Sequence, residues 1–299
     1  MKIVAGSILL ATTLAAHAQD NYADTVVSYV AGVNYGSDAY ASHDPTYQNP
    51  SVALGAPTTG SDGSTPYSII YPAYMTSQIC VINAGGELTL GFNTPIVNDP
   101  VNHAYGMDFT IFGNDFFTGT ASKLGGAYTH PGLTVWVSQN DVNFYELDVP
   151  NGYGADDGFP EQGSGNPLLP VNPSLTLSSF NGLSAAQALS LYNGSAGGAS
   201  FSISWAVDAN GNPVDLSSIN EIEIEGPSNT SGLTPSSQDA YGLVDAIAVV
   251  ESVPEPSTVA LFCTGIMLFG FGCRRSNPKK TLPRAASVFS NFNKSTINQ

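Results

Sequence analysis

Positive charge is almost absent from the long middle part of this 299-residue chain. Between residues 19 and 253, Lys123 is the only basic residue and arginine does not occur, whereas the same segment holds 23 of the 24 acidic residues. Such a negative field repels nucleic acids and anionic membrane surfaces, so we expect no nucleic-acid partner. It attracts cations, and it is equally typical of a solvated extracellular surface.

Cysteine is also scarce. Of the three cysteines, Cys263 and Cys273 lie in an apolar run near the C-terminus, which leaves Cys80 alone in the middle segment. An internal disulfide is therefore impossible there, and a segment of this size can bury a core without one. Because Ile79 and Val81 flank Cys80, we predict that its thiol points into the core.

Familiar catalytic motifs are missing as well. His43, His103 and His130 form neither an H-x-H nor an H-E-x-x-H pattern, and no G-x-S-x-G elbow occurs. Carboxylates that could pair for glycoside hydrolysis are too numerous to single any out. The sequence therefore predicts a protein that is not an enzyme.

Sustained helical periodicity is absent except over residues 183–192, and alternation with a period of two dominates. Apolar residues alternate with polar or small ones at 88–92, 200–207 and 221–225. Further strands are expected at 108–112, 133–138, 143–149 and 243–250, separated by turns such as Asn151-Gly152, Asn193-Gly194 and Asn210-Gly211. The prediction for residues 19–252 is one all-β domain, an antiparallel, jelly-roll-like β-sandwich.

The N-terminus has the order of a secretion signal. Lys2 precedes an apolar stretch over residues 3–15, and Ala16 and Ala18 form the A-x-A pattern that signal peptidase cleaves. We predict that residues 1–18 are a signal peptide and that the mature chain begins at Gln19.

The C-terminal region combines a rigid acidic tripeptide, an apolar run and a basic stop. Pro254, Glu255 and Pro256 precede the apolar residues 258–273, and Arg274 and Arg275 follow. The run is near the short end of the roughly 17 to 25 residues that span a bilayer, which suits a weak, removable anchor. The positive-inside rule leaves the C-terminus cytoplasmic. We predict a sorting signal with one transmembrane helix over 253–275 and a polar, disordered tail over 276–299.

This order closely resembles the PEP-CTERM cassette of Gram-negative bacteria. The resemblance implies processing by a membrane protease of the exosortase type, with transient membrane anchoring. It also implies export through the inner membrane to the cell surface, the outer membrane or the extracellular matrix.

The exported segment carries a second resemblance, in the order of its local motifs. It is similar to a group of bacterial cell-surface β-sandwich proteins without an assigned activity. This resemblance implies a fold and a location, and it supplies no catalytic residues. The motifs are ALGAP at 53–57, GGELTLGF at 85–92, DFTIFGN at 108–114, VWVSQND at 135–141 and DAIAVV at 245–250.

Two oxygen-rich clusters are candidate cation sites. The first comprises Asp208, Asn210, Asn212 and Asp215, whose spacing through a tight turn suits a hard cation such as Ca²⁺. It is not an EF-hand loop, because proline occupies the sixth position. A plain hairpin turn through Asn210-Gly211 is the alternative interpretation.

The second cluster comprises Asp108, Asn114 and Asp115, which flank a predicted strand, with Asp245 near the final strand. If the strand ends converge on one rim, these residues form a site for Ca²⁺ or sugar. Ordinary loop capping by Asn and Asp is the alternative. A third acidic set, Glu221, Glu223 and Glu225, is predicted to line a solvated strand face.

These observations favour a structural or adhesive surface protein, stabilised by calcium. The alternative is a carbohydrate-binding module of the extracellular polysaccharide, and a glycan-active hydrolase is the third hypothesis. A binding module predicts aromatic rings exposed together on one face or rim. A hydrolase predicts paired carboxylates in a cleft, and a structural protein predicts neither.

Overall fold

The computed structural model of the chain describes residues 21–33, 44–58, 69–228 and 240–252. These residues belong to one compact unit. The signal peptide, the sorting tripeptide, the apolar run, the C-terminal tail and His43 lie outside the described residues. Among those that are described, no helix combines the length and the apolar character needed to cross a membrane.

Strands dominate the described residues, and every pair of strands among them is antiparallel. The all-β, antiparallel prediction is confirmed. One α-helix occurs there, α1 (Ala185–Tyr192), where the sequence shows a helical period. The strands are β1 (Thr25–Val30), β2 (Cys80–Asn83), β3 (Glu87–Val97), β4 (Phe109–Phe112), β5 (Phe116–Thr120), β6 (Lys123–Tyr128), β7 (Thr134–Ser138), β8 (Phe144–Leu147), β9 (Ala199–Phe201), β10 (Ala206–Val207), β11 (Ser218–Glu225), β12 (Tyr241–Val244) and β13 (Ala246–Val249).

The largest sheet has six strands in the order β1-β3-β11-β7-β8-β10. A second sheet has the order β13-β4-β9, and β12-β2 and β5-β6 form two-stranded sheets. At the centre of the large sheet, Ile222 and Ile224 of β11 lie opposite Leu90 and Leu88 of β3. All four side chains are fully buried, as their alternation predicts.

The core joins the six-stranded and three-stranded sheets. Leu88 and Ile222 of the large sheet belong to the same hydrophobic cluster as Phe109, Phe201 and Ile247 of the smaller one. Burying each such side chain contributes about 1.5–3 kcal/mol. Two sheets sharing one core suit a sandwich-like fold, and the jelly-roll order stays a prediction.

The strand predicted over residues 200–207 is wrong in its middle. A 3₁₀ turn over Ile203–Trp205 separates β9 from β10. The side-chain oxygen of Ser202 accepts a hydrogen bond from the Ser204 backbone N–H, and Asp108 Oδ2 accepts one from the Ile203 N–H at 2.8 Å. In a continuous strand, these backbone N–H groups would donate to a neighbouring strand. Here they donate to side chains instead, which interrupts the strand.

The predicted strand over residues 243–250 is two strands. β12 pairs with β2, and β13 pairs with β4, in a different sheet. The break falls at Asp245, whose buried carboxylate accepts hydrogen bonds from Thr58.

Cys80 begins β2 and is fully buried, as predicted. Burial raises the pKa of its thiol to about 11. Because the thiolate is the reactive form, burial disfavours reactions of this thiol at neutral pH.

Candidate functional site

The described surface contains a cleft of about 530 Å³ whose walls are mostly aromatic. The β5-β6 hairpin provides Phe116 and Tyr128 on one side, and β12 provides Tyr241 on another. Asn114 supplies an amide. The full lining is Tyr47, Pro72, Tyr74, Ile79, Asn114, Phe116, Tyr128, His130, Tyr241 and Leu243.

Four rings form a continuous row along this cleft. Phe116 stacks on Tyr128 with ring centroids 5.1 Å apart, because the two residues are direct partners across the hairpin. Tyr128 meets His130 edge-on at 5.3 Å, and His130 lies 4.8 Å from Tyr241. Tyr74, 45% exposed, extends the aromatic surface toward solvent.

His130 also belongs to a buried acidic centre. Asp115, His130 and Asp156 each offer a donor atom, and these atoms all lie within 4.8 Å of one another. All three residues are at most 5% exposed. His130 Nδ1 lies 2.9 Å from Asp156 Oδ2, but the contact lacks the geometry of a hydrogen bond.

Backbone contacts fix the two carboxylates of the centre. Asp156 accepts hydrogen bonds from the backbone N–H groups of Asn114 at 2.8 Å and Leu243 at 2.9 Å. The Gly158 N–H donates to Asp115 Oδ2 at 2.6 Å.

Glycine at position 113 makes room for Asp156. A Cβ at this position would stand 2.1 Å from Asp156 Oδ1 and 2.6 Å from the carbonyl oxygen of Leu243. Because neither contact is sterically possible, the absence of a side chain at Gly113 lets Asp156 lie against the end of β4.

The electrostatics of the centre are unfavourable for two ionised carboxylates. Burial raises the pKa of Asp115 well above its ordinary value, and the neighbouring Asp156 raises it further. Lys123, the only basic residue of the exported segment, is exposed at the start of β6. Within the described residues, no lysine or arginine other than Lys123 occurs, so none of them places a lysine or arginine charge in this centre.

A second buried acid pair lies nearby in the fold. Burial raises the pKa of Asp245 to about 7, although hydrogen bonds from Thr58 oppose the shift. Burial is the largest cause that raises the pKa of Glu161 well above its ordinary value, and the nearby Asp245 raises it further. Contact with Glu161 lowers the pKa of Asp245, whereas Asp245 raises that of Glu161, so a proton on Glu161 is favoured over a proton on Asp245.

Comparison with known protein families identifies the C-terminal region. Residues 252–276 match the PEP-CTERM protein-sorting motif. The chain carries a PEP-CTERM sorting signal. The match includes Pro254, Glu255, Pro256, Arg274 and Arg275, so the predicted sorting motif is confirmed. A search of the curated proteins found no match.

The PEP-CTERM motif implies an exported protein that an exosortase, a membrane protein, sorts to the cell surface of a Gram-negative bacterium. The predicted signal-peptidase site at Ala16, Ala18 and Gln19 stays a prediction. So does the spanning helix of the PEP-CTERM region.

The structure of this PEP-CTERM chain separates the residues of the predicted rim cluster. Asp108 precedes β4, whereas Asn114 and Asp115 follow it, so they lie at opposite ends of the strand. Asp108 contacts His103 Nδ1 at 2.7 Å and accepts from the Ile203 N–H. Asp245 accepts hydrogen bonds from Thr58 and lies beside Glu161. Only Asn114 and Asp115 belong to the surroundings of the cleft and the acidic centre.

The other predicted cation site, at residues 208–215, forms a tight turn. Asp208 Oδ1 accepts from the backbone N–H groups of Asn210 at 2.8 Å and Asn212 at 2.9 Å, and Pro213 bridges back to Val207. These hydrogen bonds are those of the hairpin turn that the sequence left as the alternative. Asp215 is exposed, and calcium at this turn stays a prediction.

The glutamates of β11 are less solvated than predicted. Glu221 is buried, and Glu223 and Glu225 are partly buried beside Glu87 of β3, which directly faces Glu225. The donor atoms of Glu87, Glu223 and Glu225 lie within 4.8 Å of one another. Burial raises the pKa values of Glu223 and Glu225, and Glu87 adds to both shifts.

Sequence reasoning missed His130, Asp156 and Glu161. His130 was set aside because it lies in no spaced histidine motif. For Asp156 and Glu161, the available signal is an acidic cluster inside the glycine-rich run of residues 153–165, but exposed loops and buried loops have the same composition there.

Proposed function

We propose that this exosortase-sorted surface protein binds carbohydrate of the extracellular polysaccharide in its aromatic cleft and is not an enzyme. The observation that carries the proposal is a cleft lined by the partly exposed rings of Tyr74, Phe116 and Tyr128, by the buried rings of His130 and Tyr241, and by one amide, Asn114. A structural or adhesive role alone predicts no such cleft.

The chemistry of the cleft suits a sugar. Aromatic faces pack against the apolar C–H faces of sugar rings, and a few polar groups in an otherwise apolar pocket fix the orientation of a ligand. The acid excess of the exported segment disfavours anionic glycans. We therefore expect a neutral or positively charged polysaccharide.

Binding is favoured over hydrolysis by the position of the carboxylates. Glycoside hydrolysis needs a pair of carboxyl groups flanking the bound sugar. No aspartate or glutamate belongs to the described lining of the cleft, and Asp115 and Asp156 are buried.

The test is binding of the full-length protein to extracellular polysaccharide purified from the producing bacterium, measured by affinity electrophoresis. Tyr74→Ala should weaken binding about tenfold, since losing one stacking ring costs on the order of 1.4 kcal/mol. Its side chain is 45% exposed, so folding should be unaffected.

Tyr105→Ala is the matched control, because Tyr105 is 49% exposed and does not line the cleft. Equal loss in both variants, or no binding by the parent protein, contradicts the proposal. Release of reducing sugar from the same material would favour the hydrolase hypothesis instead.

A further inference from the structure

We propose that Asp115, His130 and Asp156 bind a divalent transition-metal ion of the zinc type, beneath the floor of the aromatic cleft. The three residues come from separate segments of the chain, and their donor atoms lie within 4.8 Å of one another. This site shares only Asp115 with the cation sites that the sequence predicts; it shares His130 with the aromatic cleft, but the evidence for it does not depend on carbohydrate binding.

Unsatisfied polar atoms point to a missing partner in this centre. Asp115 Oδ1 and both ring nitrogens of His130 are buried and have no hydrogen-bond partner among the described residues. His130 is 1% exposed and Asp115 is 5% exposed. Buried polar groups in native proteins almost always have a partner, because an unpaired group is costly to desolvate. One ion would satisfy an oxygen of Asp115 and a nitrogen of His130 together.

Charge balance supports the same conclusion. Two carboxylates face each other in the interior of a segment whose only basic residue, Lys123, is exposed. A divalent cation would neutralise both carboxylates, as bound cations commonly do in such sites.

The donor set determines the class of ion. Calcium takes six to eight oxygen ligands, whereas zinc and its neighbours accept imidazole nitrogen together with carboxylate oxygen. Two donors each about 2.1 Å from one ion stand roughly 3.0–3.4 Å apart. The separation of 2.9 Å between His130 Nδ1 and Asp156 Oδ2 is close to this range.

The surroundings hold the proposed ligands in place. The N–H groups of Asn114, Leu243 and Gly158 donate to the two carboxylates and leave Asp115 Oδ1 available. Such contacts orient metal ligands in known sites. Because His130 lines the cleft, an ion can enter from there, and once bound it would fix the imidazole within the row of rings.

The experiment uses the full-length chain in mild detergent, with an affinity tag that contains no histidine. After treatment with chelator and desalting, the protein is incubated separately with Zn²⁺, Mn²⁺, Mg²⁺ and Ca²⁺. Bound metal is counted by mass spectrometry, and thermal unfolding is followed for each ion. We expect one Zn²⁺ per chain and a rise in Tm of roughly 5–10 °C at a Zn²⁺ concentration a hundredfold above Kd.

The Asp115→Asn variant tests whether the centre holds a metal ion or only a proton shared between Asp115 and Asp156. This variant keeps the shape of the side chain and its contact with the Gly158 N–H, but it replaces the carboxylate that would bind the ion. It should lose the zinc-dependent rise. Glu87→Gln, in the partly buried acidic group of β3 and β11, is the matched control and should keep that rise.

Retention of the full zinc response by Asp115→Asn would show an adventitious ion and overturn the proposal. No bound metal in the parent protein would overturn it as well. Stabilisation by Ca²⁺ but not by Zn²⁺ would contradict the assigned class of ion and would direct attention to the oxygen-rich turn at residues 208–215.

Discussion

Asp245 illustrates how single buried acids are accommodated in this fold. Its carboxylate accepts hydrogen bonds from the N–H and hydroxyl groups of Thr58, at 2.7 and 3.0–3.1 Å. Its other partner, Glu161, is also an acid whose pKa is raised by burial. Because burial raises the pKa values of both acids, protonation stabilises the folded state, which links folding to pH.

The first prediction concerns this pH dependence. The pKa of Asp245 is 3.8 in the unfolded reference and about 7 in the fold, so between these values the folded state binds a proton that the unfolded state releases. Stability from this pair should fall as pH rises from about 4 to about 7. Glu161→Gln should reduce the loss of stability as pH rises, because it removes the raised pKa of Glu161 and leaves Asp245 in place; urea unfolding at pH 5 and pH 8 measures the change.

The control for this variant is Glu251→Gln, an exposed acid of the same type. It should leave the pH dependence of the parent protein unchanged. The same slope in Glu161→Gln as in the parent would contradict a raised pKa of Glu161.

At the scale of elements, the pairing of β3 with β11 brings acids together. Its register sets Glu87 opposite Glu225, and Glu223 opposite Thr89, whose hydroxyl donates to Glu223 at 2.9 Å. Like charges directly across a sheet are destabilising. The apolar faces of the same strands, buried in the core, impose this register despite the repulsion.

The second prediction follows from that register. Glu87→Gln should stabilise the protein by roughly 0.3–1 kcal/mol at pH 7 in chelator-treated buffer. The raised pKa values of Glu223 and Glu225 mean that the parent loses stability as pH rises through them, and removing Glu87 should lessen that loss. The gain should therefore shrink near pH 4, where the glutamates are protonated. Urea unfolding at both pH values measures it.

Asp148→Asn, on the exposed side of β8's end, serves as the comparison and should change stability little. A destabilised Glu87→Gln protein would mean that Glu87 makes contacts stronger than its repulsion of Glu225.

At the scale of the whole molecule, the negative charge and the sorting signal lie in different regions of the chain. The exported segment is acidic, and the basic residues cluster after the PEP-CTERM tripeptide. An acidic exported segment is suited to the outside of the cell, and the positive-inside rule predicts that the basic C-terminal end stays on the cytoplasmic side.

The third prediction concerns sorting. Glu255→Gln should block removal of the C-terminal peptide in the native host, because the tripeptide loses its charge at the position that the exosortase is expected to recognise. Intact mass and C-terminal peptide mapping of surface protein would then detect residues 276–299 in the variant and not in the parent. Glu251→Gln, just before the motif, should be processed normally. Retention of that peptide by the parent protein would contradict processing.

Local patterns in the sequence were sufficient to predict the strands of the core, the burial of Cys80 and the sorting signal. Alternation at 88–92 and 221–225 predicts which side chains are buried, because side chains along a strand point to opposite faces. The sorting motif is linear and is recognised without a fold. The sequence prediction was wrong where side-chain hydrogen bonds override the alternation of apolar and polar residues. Asp108 and Ser202 accept hydrogen bonds from backbone N–H groups of residues 203 and 204, so residues 203–205 leave the strand.

The tertiary structure alone decided which acids meet. Asp108 and Asp115 lie close together in sequence but at opposite ends of β4, whereas Asp115, His130 and Asp156 come together from three segments. The alternation of residues along a strand shows which face is buried. Which loops come together depends on how distant strands pair, and local alternation does not determine that pairing. The same pairing aligns Phe116 with Tyr128 and places His130 between the aromatic cleft and the buried acidic centre.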